Sequence, residues 1–263
     1  MSVPRGWRLG QHFLTDRNIL RAVADAARVR SGDTVIEVGP GRGALTRLLA
    51  ERAARVVAVE LDAALAEQLR TSMPANVEVV HADARETAPV ELLGGAAAYK
   101  LAANLPYYAA LPILRRFLED TPRPDAVGVL VQLEVAEQLC AQPGDMSLAS
   151  LGVQLYGKPR IVRRVPPGAF NPPPKVTSAV VSIEVYDAPA EGIDDARDFF
   201  RLARAGFGTR RKQLGNALAG GGLGLTAFEA RRLLDWVGID PTRRAQTLSV
   251  AEWAALYRGW RGG

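Results

Sequence analysis

Cys140 is the only cysteine in 263 residues, so no internal disulfide can form and a reducing, cytoplasmic compartment is expected. Histidine is almost as scarce. His12 and His81 stand far apart, and with so few soft ligands no metal is expected. No apolar run approaches the roughly 18 to 20 residues of a membrane span. The opening MSVPRGWRLG lacks the apolar stretch of a signal peptide, so a membrane is not an expected partner. There is no internal repeat and no long low-complexity tract. What remains is ordinary globular composition, 48% hydrophobic and 23% charged, in a chain long enough for one large core or a core with a small appendage.

Charge is unevenly spread. Residues 196–263 hold 12 Lys and Arg against 5 Asp and Glu, whereas residues 1–195 hold 21 against 23. The net +5 therefore resides in the C-terminal quarter, as expected where that part meets a polyanion. The basic side chains expected to contact such a polyanion are Arg204, Arg210, Arg211 and Lys212. Arg5 and Arg8 of the N-terminal arm, residues 1–14, join them.

The pattern alternates strand and helix. A helix with apolar Ile19, Leu20, Val23 and Ala27 precedes a buried strand at Thr34–Val38, a glycine turn and a helix from Ala44. Strands follow at Arg55–Val59 and Val77–Val80, another ends at Asn104, and a fourth runs over Ala126–Leu133. Arg160–Val165 and Ser178–Tyr186 flank the proline-rich link PPGAFNPPPKVT. Beyond DAPAEGIDD the periodicity is wholly helical, with four helices beginning near Ala196, Lys212, Ala227 and Val250. The expected fold class is α/β, a doubly wound Rossmann-like sheet with helices on both faces over residues 1–190. A small all-α domain is expected over 191–263.

Two ligands compete for the turn Gly39-Pro40-Gly41-Arg42-Gly43-Ala44. It satisfies the loose dinucleotide fingerprint, with Glu60 about 20 residues on for a ribose hydroxyl. It equally fits the E/D-x-G-x-G-x-G pattern of S-adenosylmethionine enzymes, through Glu37, Gly39, Gly41 and Gly43. A carboxylate at position 37 suits the ammonium group of a methionine moiety and has no use beside a pyrophosphate. Glu60 then takes the ribose diol, Asp83 accepts from the adenine amine, and Ala84 offers a backbone donor to a ring nitrogen. Acids at three successive strand ends favour S-adenosylmethionine as the cofactor and a class I methyltransferase sheet.

The stretch KLAANLPYY supplies the other half of a site. Asn104-Leu105-Pro106-Tyr107 ends a strand in a proline-stiffened turn that projects an amide, a carbonyl and an aromatic ring together. An adenine amine is a poor nucleophile because its lone pair is delocalised into the ring. The Asn104 amide oxygen and the Leu105 carbonyl, accepting from its two N–H groups, would favour the pyramidal, reactive form. Tyr107 offers a face for an unstacked base, and Phe170 is the candidate second aromatic opposite it.

These motifs, in order, resemble those of the small-subunit ribosomal RNA adenine dimethyltransferases, the family whose loss gives kasugamycin resistance. The match runs through Gly10–Leu14, Glu37–Gly43, Val59–Asp62, Asn104–Tyr107, Ala169–Val176, Phe207–Lys212 and Arg244–Ser249. The resemblance implies cofactor contacts at His12, Leu14, Gly39, Glu60, Asp83 and Asn104. It also implies two methyl groups on each of two adjacent adenines near the 3′ end of 16S rRNA, in the 30S subunit or its precursor, by a monomeric enzyme acting in ribosome biogenesis. His12, Tyr108 and the segment Gln142–Gln154 depart from the family pattern. A 23S rRNA adenine methylase of the macrolide-resistance type and a non-catalytic assembly factor are the alternatives.

Overall fold

Runs such as TVIEV and AVGVLVQ have no polar alternation because the strands they form are covered on both faces. The computed structural model describes residues 12–262. Arg5 and Arg8, with the rest of the N-terminal arm up to residue 11, lie outside the described residues.

In chain order the elements are β1 (Phe13–Leu14), α1 (Arg17–Ala26), β2 (Thr34–Val38), α2 (Ala44–Ala50), β3 (Arg55–Glu60), α3 (Ala63–Ser72), β4 (Val77–His81) and α4 (Pro89–Leu93). Next come β5 (Lys100–Asn104), α5 (Ala110–Glu119), β6 (Ala126–Gln132), α6 (Leu133–Leu139), α7 (Leu148–Gln154), β7 (Gly157–Val165), β8 (Phe170–Asn171) and β9 (Ser178–Val185). Four helices complete the chain: α8 (Ala196–Phe207), α9 (Leu214–Ala219), α10 (Ala227–Trp236) and α11 (Val250–Gly262).

The seven-stranded sheet has the order β4-β3-β2-β5-β6-β9-β7. Its first five strands are parallel, and β9 runs antiparallel to β6. The chain leaves β2 for β3 and β4 on one side, then crosses back to β5 on the other. That reversal opens a crevice beyond the carboxyl ends of β2 and β5, where doubly wound sheets bind ligands. Helix α1 packs so tightly on the sheet that a β-carbon at Gly128 would lie 2.3 Å from the Val23 carbonyl oxygen. Only glycine fits there. The core on this side joins Ile19, Leu20 and Val23 to Val35, Leu49, Val56 and Leu130.

The chain divides into two compact units, Met1–Glu137 with Lys158–Val185, and Gln138–Gly157 with Tyr186–Gly263. The second unit includes a segment that the sequence reading groups with the sheet. Its helix α7 has no counterpart in that reading. Ser147 caps it by accepting from the Ser150 amide at 3.2 Å, while the Ser150 hydroxyl accepts from the Ser147 amide at 2.7 Å. Gly144 and Met146 donate to the Gln246 carbonyl at 2.8 and 3.1 Å, and Ala190 donates to Leu155 at 2.7 Å, so the segment is tied to the C-terminal helices.

Candidate functional site

The end of β2 sets the floor of the site. Gly39 donates to the Val59 carbonyl at 2.9 Å, which ties the glycine turn to β3. Gly41 and Gly43 both sit at positive φ, 56° and 77°. A β-carbon at Gly43 would come within 2.8 Å of Leu69 and Met73, and one at Gly41 within 3.1 Å of the Phe13 ring. The glycines therefore serve close approach as well as turning. Arg42 between them lies over Phe13, 4.3 Å from the ring centroid, and fastens β1 to the turn.

Three carboxylates line the cavity from successive strand ends. Glu37 is 1% exposed and its Oε2 has no hydrogen-bond partner among the described residues. Burial pushes its carboxyl up to about 8, with the nearby Thr46 hydroxyl opposing and Glu60 adding to the shift. Glu60 is also raised by burial, but its oxygens accept from the Gly41 amide at 3.0 Å and the Asp62 amide at 2.9 Å. Each oxygen keeps a second lone pair for a ligand hydroxyl. Asp83 differs. Arg85 reaches both its oxygens through Nε and Nη2 at 2.5 to 3.1 Å, holding the carboxyl below its usual range. A ligand amine meets an acid that is already engaged.

Asn104 ends β5 beside this turn: its backbone oxygen would lie 3.7 Å from a β-carbon at Gly39. Leu105 donates to Leu130 at 3.1 Å and Ala109 to Pro106 at 2.9 Å, so the backbone of the NLPY turn is anchored on both sides. The Tyr107 hydroxyl pairs with the Ser178 hydroxyl at 2.9 Å, and the ring stacks on His12 at 6.1 Å between centroids. Burial raises the Tyr107 phenol, opposed by the Ser178 hydrogen bond, so it stays neutral. His12 is placed by a 2.8 Å contact between Nδ1 and the Pro172 carbonyl. Phe170 is 4% exposed and belongs to the core cluster, while also lining the cavity.

One cavity of about 1020 Å³ takes in His12, Leu14, Glu37, Gly39, Gly41, Glu60, Asp83, Ala84, Asn104, Leu105, Pro106, Tyr107 and Phe170. Gly43 stands behind it as the N-cap of α2. Sequence reasoning missed Arg42, Arg85 and Ser178. An arginine two residues after Asp83 was the available signal for one of them. The pairing of β1 with β8, Phe13 opposite Asn171 and Leu14 opposite Phe170, had none.

Among the described residues, the candidate RNA residues belong to the second unit. Arg204 is exposed on α8, and Arg210, Arg211 and Lys212 are exposed in the turn before α9, two residues short of where that helix begins. Arg201, Arg204 and Lys212 line a separate hollow of about 350 Å³ with Thr209 and Asn216.

The donor set discriminates between the two cofactors. An orphaned buried acceptor at Glu37 and a second carboxylate at Glu60 suit a cationic, hydroxyl-bearing ligand and repel a pyrophosphate. The residues fit S-adenosylmethionine. Similarity to known proteins is extensive. A family model described as ribosomal RNA adenine dimethylase matches residues 6–256. The "Ribosomal RNA small subunit methyltransferase A" of Dehalococcoides mccartyi is 50% identical, across 94% of this chain and 86% of its own. A dimethyladenosine transferase from Plasmodium falciparum shares the fold, with a TM-score of 0.77 at 23% identity over 93% of this chain and 96% of that one. The 23S rRNA methyltransferase ErmE gives 0.72 at 25% identity over 95% and 99%. Matched over nearly its whole length by that family model, and half identical to a curated relative, this chain belongs to the ribosomal RNA adenine dimethylase family.

Proposed function

We propose that this protein transfers methyl groups from S-adenosylmethionine to the exocyclic N6 of two adjacent adenines near the 3′ end of 16S rRNA, two to each base. The observation that carries the reading is the sharing of one cavity by the acid-lined cradle and the Asn104–Tyr107 turn. The small-subunit name of the half-identical relative supports 16S over 23S RNA. Among the described residues no helix is long and apolar enough to cross a membrane. A monomer working in the cytoplasm on the 30S subunit or its precursor completes the reading.

When bound, S-adenosylmethionine supplies an electrophilic methyl on a positive sulfur, so no strong acid or base is needed. Glu37 would neutralise the ammonium group and Glu60 would hold the ribose diol. Asp83 and Ala84 would meet the adenine of the cofactor, and His12 and Leu14 would close the cavity. The Asn104 side-chain oxygen and the Leu105 carbonyl accept from the two N–H groups of the target amine. That would restore its lone pair to bond the methyl as the methyl–sulfur bond breaks, and the proton the amine sheds on methylation would leave to water. Tyr107 lies against the flipped base, fixed by Ser178 behind it. Phe170, packed in the core, forms the rigid opposite wall.

The test is labelled-methyl transfer to unmethylated 30S particles and to 23S RNA, with wild type and Asn104→Ala. Dimethyladenine in 16S RNA that vanishes in the variant is expected. Label in 23S RNA would reassign the substrate, and no label in either would make the chain an assembly factor.

A further inference from the structure

Helix α10 carries its largest side chains on the wrong side. Ala230 and Leu234 are buried and Leu233 and Val237 half-buried, so the inward stripe that closes the helical core is complete without them. Phe228 and Trp236 instead face outward at 68% and 67% exposure, the most exposed large hydrophobics among the described residues. Arg232 lies between them at helical spacing, its guanidinium 5.7 Å from the Phe228 ring centroid. Arg231 is exposed beside it. Residues four apart advance about 6 Å along a helix and drift about 40° around it. Phe228, Arg232 and Trp236 thus form one outward strip roughly 12 Å long, the rise of three to four nucleotides stacked about 3.4 Å apart.

We propose that the outward face of α10 is an RNA-binding surface on which Phe228 and Trp236 stack unpaired bases while Arg231 and Arg232 meet the flanking phosphates. The occupant follows from chemistry. An apolar partner would want a continuous apolar patch, and here Arg232 stands between the two rings with its guanidinium over Phe228. Aromatic rings interleaved with cations are what a single strand needs: rings for its bases and charge for its backbone. The acid in the first turn is already occupied, since Glu229 accepts from the Thr226 amide and hydroxyl at 2.8 Å as part of the helix cap. The segment 196–263 that holds α10 carries the chain's positive excess. Trp236 lies alongside α11, where a β-carbon added at Gly259 would come 3.6 Å from the indole.

The proposal rests on the reading of the chain as an RNA-modifying enzyme, and it adds a surface outside the cavity. The experiment measures binding of a short single-stranded oligouridylate and of unmethylated 30S particles to the full chain. It compares wild type, Trp236→Phe, and the double variant Phe228→Ala with Trp236→Ala. The double variant is expected to bind the oligonucleotide about 30-fold more weakly or worse, with unchanged affinity for S-adenosylhomocysteine. Trp236→Phe should keep most of the affinity while losing the fluorescence quenching that stacking on indole produces. Equal oligonucleotide affinity in the double variant would overturn the proposal. So would a wild-type dimer that the double variant converts to monomer, which would assign the face to a second copy. A wild type that fails to methylate 16S RNA, yet loses oligonucleotide binding in the double variant, would sink the activity reading and leave the surface standing.

Discussion

The two units handle charge in opposite ways. In the sheet unit the acids Glu37 and Glu60 are buried at strand ends, where backbone amides and burial set their properties. In the helical unit Arg204, Arg210, Arg211 and Lys212 stand in solvent. A buried charge is costly unless a ligand or the backbone meets it, so it marks a site with specific geometry. An exposed cation is cheap and interchangeable, so it marks a surface that recognises charge density. On the proposed reading, one unit fits a molecule and the other holds a polymer.

The sharpest contrast is between a buried glycine of the sheet unit and an exposed arginine of the helical unit. Gly128→Ala drives a β-carbon into the α1 backbone and should destabilise the sheet unit by about 3 kcal/mol. Arg211→Ala in the helical unit should stay within roughly 0.5 kcal/mol. Urea unfolding of both variants decides it, and equal losses would erase the distinction.

Asn104→Ala comes next. Removing one preorganised acceptor should lower methyl transfer by about 100-fold or more while cofactor affinity falls only several-fold. Single-turnover rates beside calorimetric affinities separate the two effects.

Glu37 gives a smaller effect with a definite sign. Its folded pKa, about 8, lies above the ordinary glutamate value of 4.5, so between these values the native state binds more protons than the unfolded one. Stability should therefore decline as pH rises through that window, by roughly 2 kcal/mol between about pH 5.5 and 7.5. Glu37→Gln should flatten the decline. Cofactor binding near pH 7 should release a proton from wild type but not from the variant, which calorimetry in buffers of different ionisation enthalpy reads directly.

The least effect per residue belongs to the surface. Neutralising Arg204 or Lys212 should reduce the slope of log affinity against log salt by about 1 each and leave the rate on saturating RNA unchanged. A loss of rate instead would bring these cations into the chemistry.

The contrast also explains what could be read in advance. Strands β2, β3 and β6 were legible because short runs rich in Val, Ile and Ala, bounded by turn residues, suit buried strands, and their starts match the expectation residue for residue. The acids at positions 37, 60 and 83 were legible because topology places every such strand end on one rim. Helix α7 was not: its sequence, LASLGVQ, is short, holds a glycine and depends on the Ser147 cap and on tertiary contacts with distant helices. The engagement of Asp83 by Arg85 was hidden for another reason, since spacing shows proximity but not which way a side chain turns. On α10, Phe228 and Trp236 break the amphipathic pattern. Such a break can be seen only after the helix has been placed.

The ladder between Phe13–Leu14 and Phe170–Asn171 bears on turnover. It is two residues long and separate from the seven-stranded sheet, yet it forms one wall of the cavity. Parting it leaves every strand of the large sheet paired. On the proposed reading a spent donor must leave and a fresh one enter for each of four methyl groups, and a wall held by so short a ladder can yield without disturbing the large sheet.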